Sequence, residues 1–240
     1  MSWALGDTRP KRRGWAPGAY MGRCTRCGVE YTGDKRAIEC ADCAYRYAGL
    51  PRFIALCGNP GSGKSLVAEI LQTRYGVQPV DDGWPVRDFA IRHLGMTETQ
   101  VTTQDGKRET VQIAGAEWQV RKALGEAANA LERTFGAHAM PWMAVLRCER
   151  SGREGPFSFA SVRRDQGRFY KARGGVVVEI ANPLAKPTGH EFDEYDRTCV
   201  DYTIENDALA HGCDPAIARA DLEMKVDELV EVMLLRAAAA

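Results

Sequence analysis

From Arg52 onward, short apolar runs alternate with stretches of helical periodicity. "RFIALC" (52–57) is an apolar run that stops at Gly58, the pattern of a strand buried on both faces of a parallel sheet. Ser65–Tyr75 then places Val67, Ile70 and Leu71 at helical spacing. "WPVRDFAIRHLG" predicts a second helix, with Pro85 near its start and Gly95 after its end. Residues 97–115 are polar and rich in Thr, Gln and Gly, and predict a loop or weak hairpin. Glu117–Phe135 predicts a longer helix, with Val120, Leu124, Leu131 and Phe135 on one face and Gly136 as its stop. "MPWMAVLRC" predicts a short helix; "FSFASV", "GGVVVEI" and "VDYTIEN" predict strands. Pro215–Arg236 closes the chain as an amphipathic helix with Leu222, Val226, Leu229 and Met233 on one stripe, and the terminal alanines are expected to fray. Alternation of buried strands with helices predicts an α/β fold, a parallel sheet with helices on both faces.

The first fifty residues follow another pattern. Residues 1–22 are rich in Gly, Pro and Arg without hydrophobic periodicity, and predict a flexible basic arm. Residues 23–50 carry "CTRC" and "CADC", so Cys24, Cys27, Cys40 and Cys43 form two C-x₂-C pairs separated by 12 residues. Each pair can turn back as a knuckle that offers two thiolates to one ion, and four thiolates complete the tetrahedron of a structural zinc site. No coordination position then stays open for catalysis at the metal. Leu50-Pro51 marks the expected boundary with a main domain over 51–240.

Charge adds one qualification. Lys+Arg and Asp+Glu are both 32, which disfavours a protein whose main task is coating nucleic acid. The front is nonetheless basic and the tail acidic: residues 1–52 hold ten basic and five acidic side chains, and residues 190–240 hold four and thirteen. Two solvated faces explain this, although Arg23, Arg26, Lys35 and Arg36 leave nucleic-acid or protein contact through the zinc module open. No run approaches the ~18 apolar residues that would span a bilayer, and the start lacks an apolar signal core, so no membrane partner is expected. The expected compartment is a reducing cytoplasm, which disfavours disulfides for the eight cysteines.

The sharpest chemistry lies in "GNPGSGKS", Gly58, Asn59, Pro60, Gly61, Ser62, Gly63, Lys64 and Ser65, which fits G-x-x-x-x-G-K-[ST] between a strand and a helix. Its glycines let backbone N–H groups converge on phosphate oxygens at a helix N-terminus. Lys64 is positioned for the β/γ-phosphates and Ser65 for Mg²⁺. The motif specifies a nucleoside triphosphate with magnesium and does not by itself specify a kinase.

The order of the later segments narrows the reading. "DDGWPVRDFAIRHLG", "VRKALGEAANALERTFG", "SVRRDQG" with "RGGVVVEIANP", and "HEF" with "VDYTIEND" follow the P-loop in turn. With it, this series resembles the bacteriophage-type deoxynucleoside monophosphate kinases over roughly residues 52–210. The resemblance implies a cytoplasmic enzyme (the host's cytoplasm if phage-encoded) that moves the ATP γ-phosphate to a deoxynucleoside 5′-monophosphate with Mg²⁺. It implies contacts to acceptor or transferring phosphate from Arg87, Arg121 and Arg163; Arg164, outside the family pattern, is either an added lid-like catalytic arginine or a surface change, and a homodimer is left open. The chain departs from the family at two positions: Ser161 stands where the family has an Asp, and Arg164 where it usually has an aromatic residue. Asp81 and Asp82 are the obvious replacement carboxylates, and equally suit the acceptor's sugar or base, or a helix cap. The zinc module lies outside the family's minimal pattern.

Trp84, Trp118 and Trp142 are expected in core or half-buried roles rather than stacked on a base, and Cys57 as a small core residue. Three other functions compete with this one. A kinase of a different small acceptor shares the same P-loop. A nucleic-acid-associated ATPase would use the zinc module as its grip, but its usual acidic pair after a later strand is missing. A binding module without turnover is motivated by Ser161.

Overall fold

The computed structural model describes residues 14–45, 49–153, 155–187, 189 and 194–239. The first part of the expected arm and the "HEF" segment lie outside these residues. The rest of the arm is ordered: β1 (Ala16–Arg23) pairs antiparallel with β2 (Glu30–Lys35). Over residues 16–22 the expected arm is instead a strand, because Tyr31 of β2 is buried across from Gly22, where an added Cβ would come within 3.2 Å of its ring. A strand without hydrophobic periodicity is thus held by its partner's one large aromatic.

A short helix α1 (Ala41–Tyr45) leads to the first strand of the main sheet, β3 (Phe53–Cys57), followed by α2 (Lys64–Tyr75). Then come β4 (Gln78–Val80), α3 (Trp84–His93) and α4 (Glu98–Thr102). A hairpin of β5 (Thr110–Ile113) and β6 (Ala116–Gln119) runs into α5 (Val120–Phe135) and α6 (Ala139–Arg150). The chain closes with β7 (Phe157–Phe159), α7 (Gln166–Lys171), β8 (Val176–Ala181), β9 (Tyr202–Glu205) and α8 (Pro215–Ala239).

The main sheet has five parallel strands in the order β4-β7-β3-β8-β9. All five β3 residues are buried because both faces are covered. Ile54 and Leu56 point into a core shared with α2 and α8, whereas Phe53, Ala55 and Cys57 join a second core under α6 and α7. The stripe expected on α8 is there: Leu222, Val226, Leu229 and Met233 are all buried. A buried polar clasp ties α8 to α2. Arg74 donates bidentately to Asp227 (Nε–Oδ1 3.0 Å, Nη2–Oδ2 2.6 Å), and the Tyr75 hydroxyl donates to the same carboxylate. Burial and the Asp227 charge hold the Tyr75 phenol far above its ordinary range, so it stays a donor.

Two boundaries differ from expectation. Residues 97–115 form α4, a 3₁₀ turn (Gly106–Arg108) and the first strand of the hairpin. Thr97 and Gln100 close a capping box at the start of α4, a signal present in the sequence as T-x-x-Q. The hairpin turns on Ala114 and Gly115, both at positive φ (51° and 83°). Ala is an uncommon choice there, so the turn was not marked by its residues. The helix expected from Glu117 begins at Val120 because 116–119 is the second hairpin strand. Its expected apolar face is also corrected. Phe135 is 73% exposed, and the buried α5 residues are Val120, Ala123, Gly125 and Asn129. Part of that helix looks into a cavity rather than a core.

The cysteine module is built into the main domain. Ala41 and Ala44 of α1 belong to the same core as α2 and α8, with Trp15 and Leu50 packed against it.

Candidate active site and metal centre

β3 ends at the sheet's middle, and the loop after it, residues 58–63, arches over its carboxyl end onto the N-terminus of α2. Gly58, Gly61 and Gly63 take φ of 137°, 80° and 106°. Two of these glycines also meet a steric requirement. A Cβ on Gly58 would lie 2.5 Å from the Ile180 carbonyl oxygen, and one on Gly63 would lie 2.5 Å from Asn206 Nδ2. Asn206 donates to the Ser62 carbonyl (2.8 Å) and Asn59 to the Ala185 carbonyl (2.9 Å), so the loop is braced from β9 and from beyond β8. Lys64 Nζ donates to the carbonyls of Gly58 (2.7 Å) and Asn59 (2.9 Å), which lays its charge across the loop. Ser62 Oγ is buried without a hydrogen-bond partner. A backbone cradle with a lysine across it, opening a helix, fits a polyphosphate.

The loop forms one wall of a cleft of about 830 Å³. A second cavity of about 120 Å³ adjoins it, and both are lined by Asp82, Arg87, Lys107, Arg121, Ser161 and Arg163. Four cations from four different segments therefore meet where the two spaces join. Arg87 comes from α3 and is held by Asp81 (2.5 Å). Arg121 comes from α5 and donates to Gln104 (2.7 Å). Arg163 follows β7. Lys107 sits on the 3₁₀ turn. Burial, then Arg87, Arg121 and Arg163, pulls the Lys107 ammonium down to about 8, against the opposing Asp81. Lys107 was not foreseen: "QDGKRE" carries no motif, and only the folding of α4 and the hairpin brings it to the junction.

The two acidic candidates separate. Asp81 accepts from the Gly83 amide (3.0 Å) and binds Arg87, so it opens α3 and positions an arginine. Asp82 is buried, accepts from the Ser161 amide (3.2 Å) and has its other oxygen unpaired. Burial raises its carboxyl above the usual range, with Arg163 opposing. A carboxylate from the end of β4 thus reaches the backbone of Ser161, the position at which the resemblance expects an Asp.

Arg164 adopts φ 45° and lines the smaller cavity but not the P-loop cleft. Its guanidinium donates to Glu132 (2.9 Å) and Asn129 (2.9 Å), and Gln166 Nε2 donates to the other Glu132 oxygen (2.8 Å). The reading of Arg164 as part of the catalytic group is therefore revised to a wall residue. Asn129, Glu132 and Gln166 were missed. A trace was present in the sequence: Arg121, Gly125, Asn129 and Glu132 recur at near-helical spacing on a face without large apolar residues. The three tryptophans line neither cavity. Trp84 stacks on Arg147 (4.4 Å), Trp118 faces Lys122 (5.9 Å) and Trp142 is 52% exposed.

The cysteine quartet assembles as the spacing predicts. Its four Sγ atoms lie within 4.8 Å of one another, and Cys27 and Cys40 sulfurs are 3.7 Å apart. A tetrahedron with Zn–S near 2.3 Å has an edge of about 3.8 Å, so this spacing fits zinc, whereas a disulfide needs about 2 Å. Gly28 takes the left-handed turn (φ 73°) expected of the first knuckle, and its N–H donates to the Cys24 carbonyl (2.9 Å). Burial opposes charge on Cys24, but N–H donors from Cys27, Cys40 and Arg26 outweigh it and bring the thiol to about 6. Burial and the neighbouring sulfurs push Cys40 and Cys43 up. These N–H donors favour negative charge on Cys24, and a cation among the four sulfurs would offset the charge of a full thiolate set. Cys57 is fully buried in β3 and points its thiol at the Val178 carbonyl (3.6 Å), a core role as expected.

A glycine loop and helix after the central strand of a five-stranded parallel sheet define a P-loop nucleotide-binding fold, here with an N-terminal four-cysteine module. No family model and no curated protein sequence matches the chain. Solved structures similar to it include TT1252 from Thermus thermophilus, at 18% identity and a TM-score of 0.41, covering 76% of this chain and 97% of that one. Shikimate kinase from Bacteroides thetaiotaomicron shares 16% identity at a TM-score of 0.36 over 75% and 98% of the two chains. Shikimate kinase from Acinetobacter baumannii in complex with shikimate shares 19% at 0.37 over 79% and 96%. Among the described residues, no helix is long and apolar enough to cross a membrane.

Proposed function

We propose that the protein is an ATP-dependent kinase whose acceptor is a deoxynucleoside 5′-monophosphate. The observation that carries this reading is the junction of the two cavities. Arg87, Lys107, Arg121 and Arg163 converge there beside the P-loop, with a smaller space behind them. A hydrolase needs only water at that point. A set of four cations suits a second molecule that brings its own phosphate to the one being transferred. The order of sequence motifs supports the same acceptor class.

In this reading, the loop amides and Lys64 hold the ATP phosphates, and Ser65 with Asp82 would hold Mg²⁺, which when bound neutralises phosphate charge. Arg121 and Arg163 orient donor and acceptor phosphates, and Arg87 is kept in place by Asp81. The zinc site is structural.

A coupled ATP-to-ADP assay tests the proposal. It is run without acceptor, with each deoxynucleoside monophosphate, with ribonucleotides, with other small hydroxyl acceptors and with DNA. Turnover that requires a deoxynucleoside monophosphate is expected. Turnover stimulated by DNA and indifferent to monophosphates would assign the chain to the nucleic-acid ATPases.

Lys107 adds a pH signature. A bound phosphate dianion favours its charged form, so acceptor affinity is lost as pH rises through about 8. The acceptor KM is expected to rise about tenfold from pH 7 to 9, as the protonated fraction falls. Lys107→Arg, charged throughout, should flatten the profile. A wild-type KM constant over that range would remove Lys107 from the acceptor site.

A further inference from the structure

The smaller cavity changes character along α5. Arg121 stands at its mouth, Gly125 and Ala128 along its middle, and Asn129 and Glu132 at its end. The helical steps from Arg121 to Glu132 span about 16 Å, enough to run from a phosphate to the far edge of a base. The middle is apolar, closed by Val86, Leu124 and Met140, and the two small residues of α5 leave room against the helix. The end is polar: Arg164, Glu132, Asn129 and Gln166 are joined by the three hydrogen bonds described above, and Asn129 and Gln166 are buried. A network of mutually bonded side chains, two of them buried, holds those side chains in fixed orientations, as a reader of heteroatom edges requires.

The size is the deciding quantity. A cavity of about 120 Å³ is of the same order as the ~150 Å³ cavity that accepts a single benzene ring in an engineered protein, room for one ring rather than two. We infer that this cavity takes a one-ring base, so that the acceptor is a pyrimidine deoxynucleoside monophosphate read at its edge by the Arg164–Glu132–Asn129–Gln166 network. The inference rests on the kinase reading above and narrows it.

Steady-state kinetics on the full chain with dTMP, dUMP, dCMP, dAMP and dGMP test it. The pyrimidine nucleotides are expected to lead in kcat/KM by about tenfold or more, since even one surplus methylene in a pocket costs about that much. Arg164→Met should raise the KM for the best pyrimidine nucleotide by about 10- to 100-fold, the span of a lost charge-assisted hydrogen bond, and leave the KM for ATP unchanged. Met140→Ala enlarges the apolar middle without touching the network, and should raise purine turnover relative to pyrimidine. It decides the question if Arg164→Met does not fold. Wild-type protein that uses dAMP or dGMP as well as any pyrimidine overturns the one-ring inference and leaves the kinase standing. No turnover with any monophosphate removes the kinase reading, and this inference with it. An unchanged acceptor KM in folded Arg164→Met overturns the role of the network.

Discussion

Replacing Lys64 by alanine is expected to abolish phosphoryl transfer while the protein stays folded. The ammonium lies across the P-loop on the carbonyls of Gly58 and Asn59, at the place where β- and γ-phosphates would meet the loop. Transfer builds charge on equatorial phosphate oxygens, and a fixed cation there acts on the transition state more than on the ground state. Loss of one such group costs about 10²- to 10³-fold in kcat, and more where the cation is the only one directed from the donor side. The fold should survive. The loop is braced independently by Asn206 on the Ser62 carbonyl and Asn59 on the Ala185 carbonyl, and the Lys64 side chain is outside the hydrophobic cores. The measurement is turnover with the best acceptor beside a thermal melt. Activity within tenfold of wild type would remove the P-loop from the mechanism. Lost activity with a collapsed melt would leave its catalytic part undemonstrated, and Lys64→Gln would then be compared.

Zinc removal is expected to destabilise the whole domain, not merely the first fifty residues. Cys40 and Cys43 flank Ala41 on α1, and Ala41 and Ala44 are buried in the core shared by α2 and α8. A metal held among the four sulfurs would fix α1 and thereby close that core against solvent. Structural zinc contributes on the order of 10 kcal/mol of apparent binding free energy in small modules, so loss of even a third is large here. For a chain of this size that third corresponds to a fall in melting temperature of about 10 °C. Native mass spectrometry should show one zinc, and a strong chelator or Cys40→Ser should lower the melt by about this amount. Because α1 packs beside α2, whose first residues are Lys64 and Ser65, ATP binding should weaken in parallel. A chelated protein with an unchanged melt would show the quartet to be a passive appendage.

The residues that bring four cations together illustrate how the site is divided between sequence and fold. The P-loop is local: eight consecutive residues carry the amides, the glycine conformations and the lysine. The strand before it and the helix after it follow from short-range hydrophobic pattern. The cysteine quartet is nearly as local, since two i, i+3 pairs need only a hairpin between them to close on one point. Both were therefore legible from spacing alone, as were the parallel sheet and the buried stripe of α8.

The proposed acceptor side was only partly legible. Arg87, Arg121 and Arg163 were marked by order and resemblance, but Lys107 sits in a polar stretch and becomes a site residue only when α4, the 3₁₀ turn and the hairpin carry it over the cleft. Asp82 was one of two adjacent acids. Both line the P-loop cleft, but Asp81 is taken up by the Gly83 amide and Arg87 at the start of α3, whereas Asp82 keeps an unpaired oxygen and also lines the smaller cavity. Arg164, which stands where the family usually has an aromatic residue, read as a lid-like arginine or a surface change, and its pairing with Glu132 and Asn129 places it in the wall of the smaller cavity. What the sequence by itself determined is the chemistry held within a few residues: the phosphate loop, the metal knuckles and the strand–helix alternation. Only the tertiary structure decided which distant charges meet and how large a space they enclose. The physical reason is that hydrophobic periodicity reports which face of an element is buried. It does not report what the opposite wall contributes, and a pocket is made of walls from elements far apart in the chain.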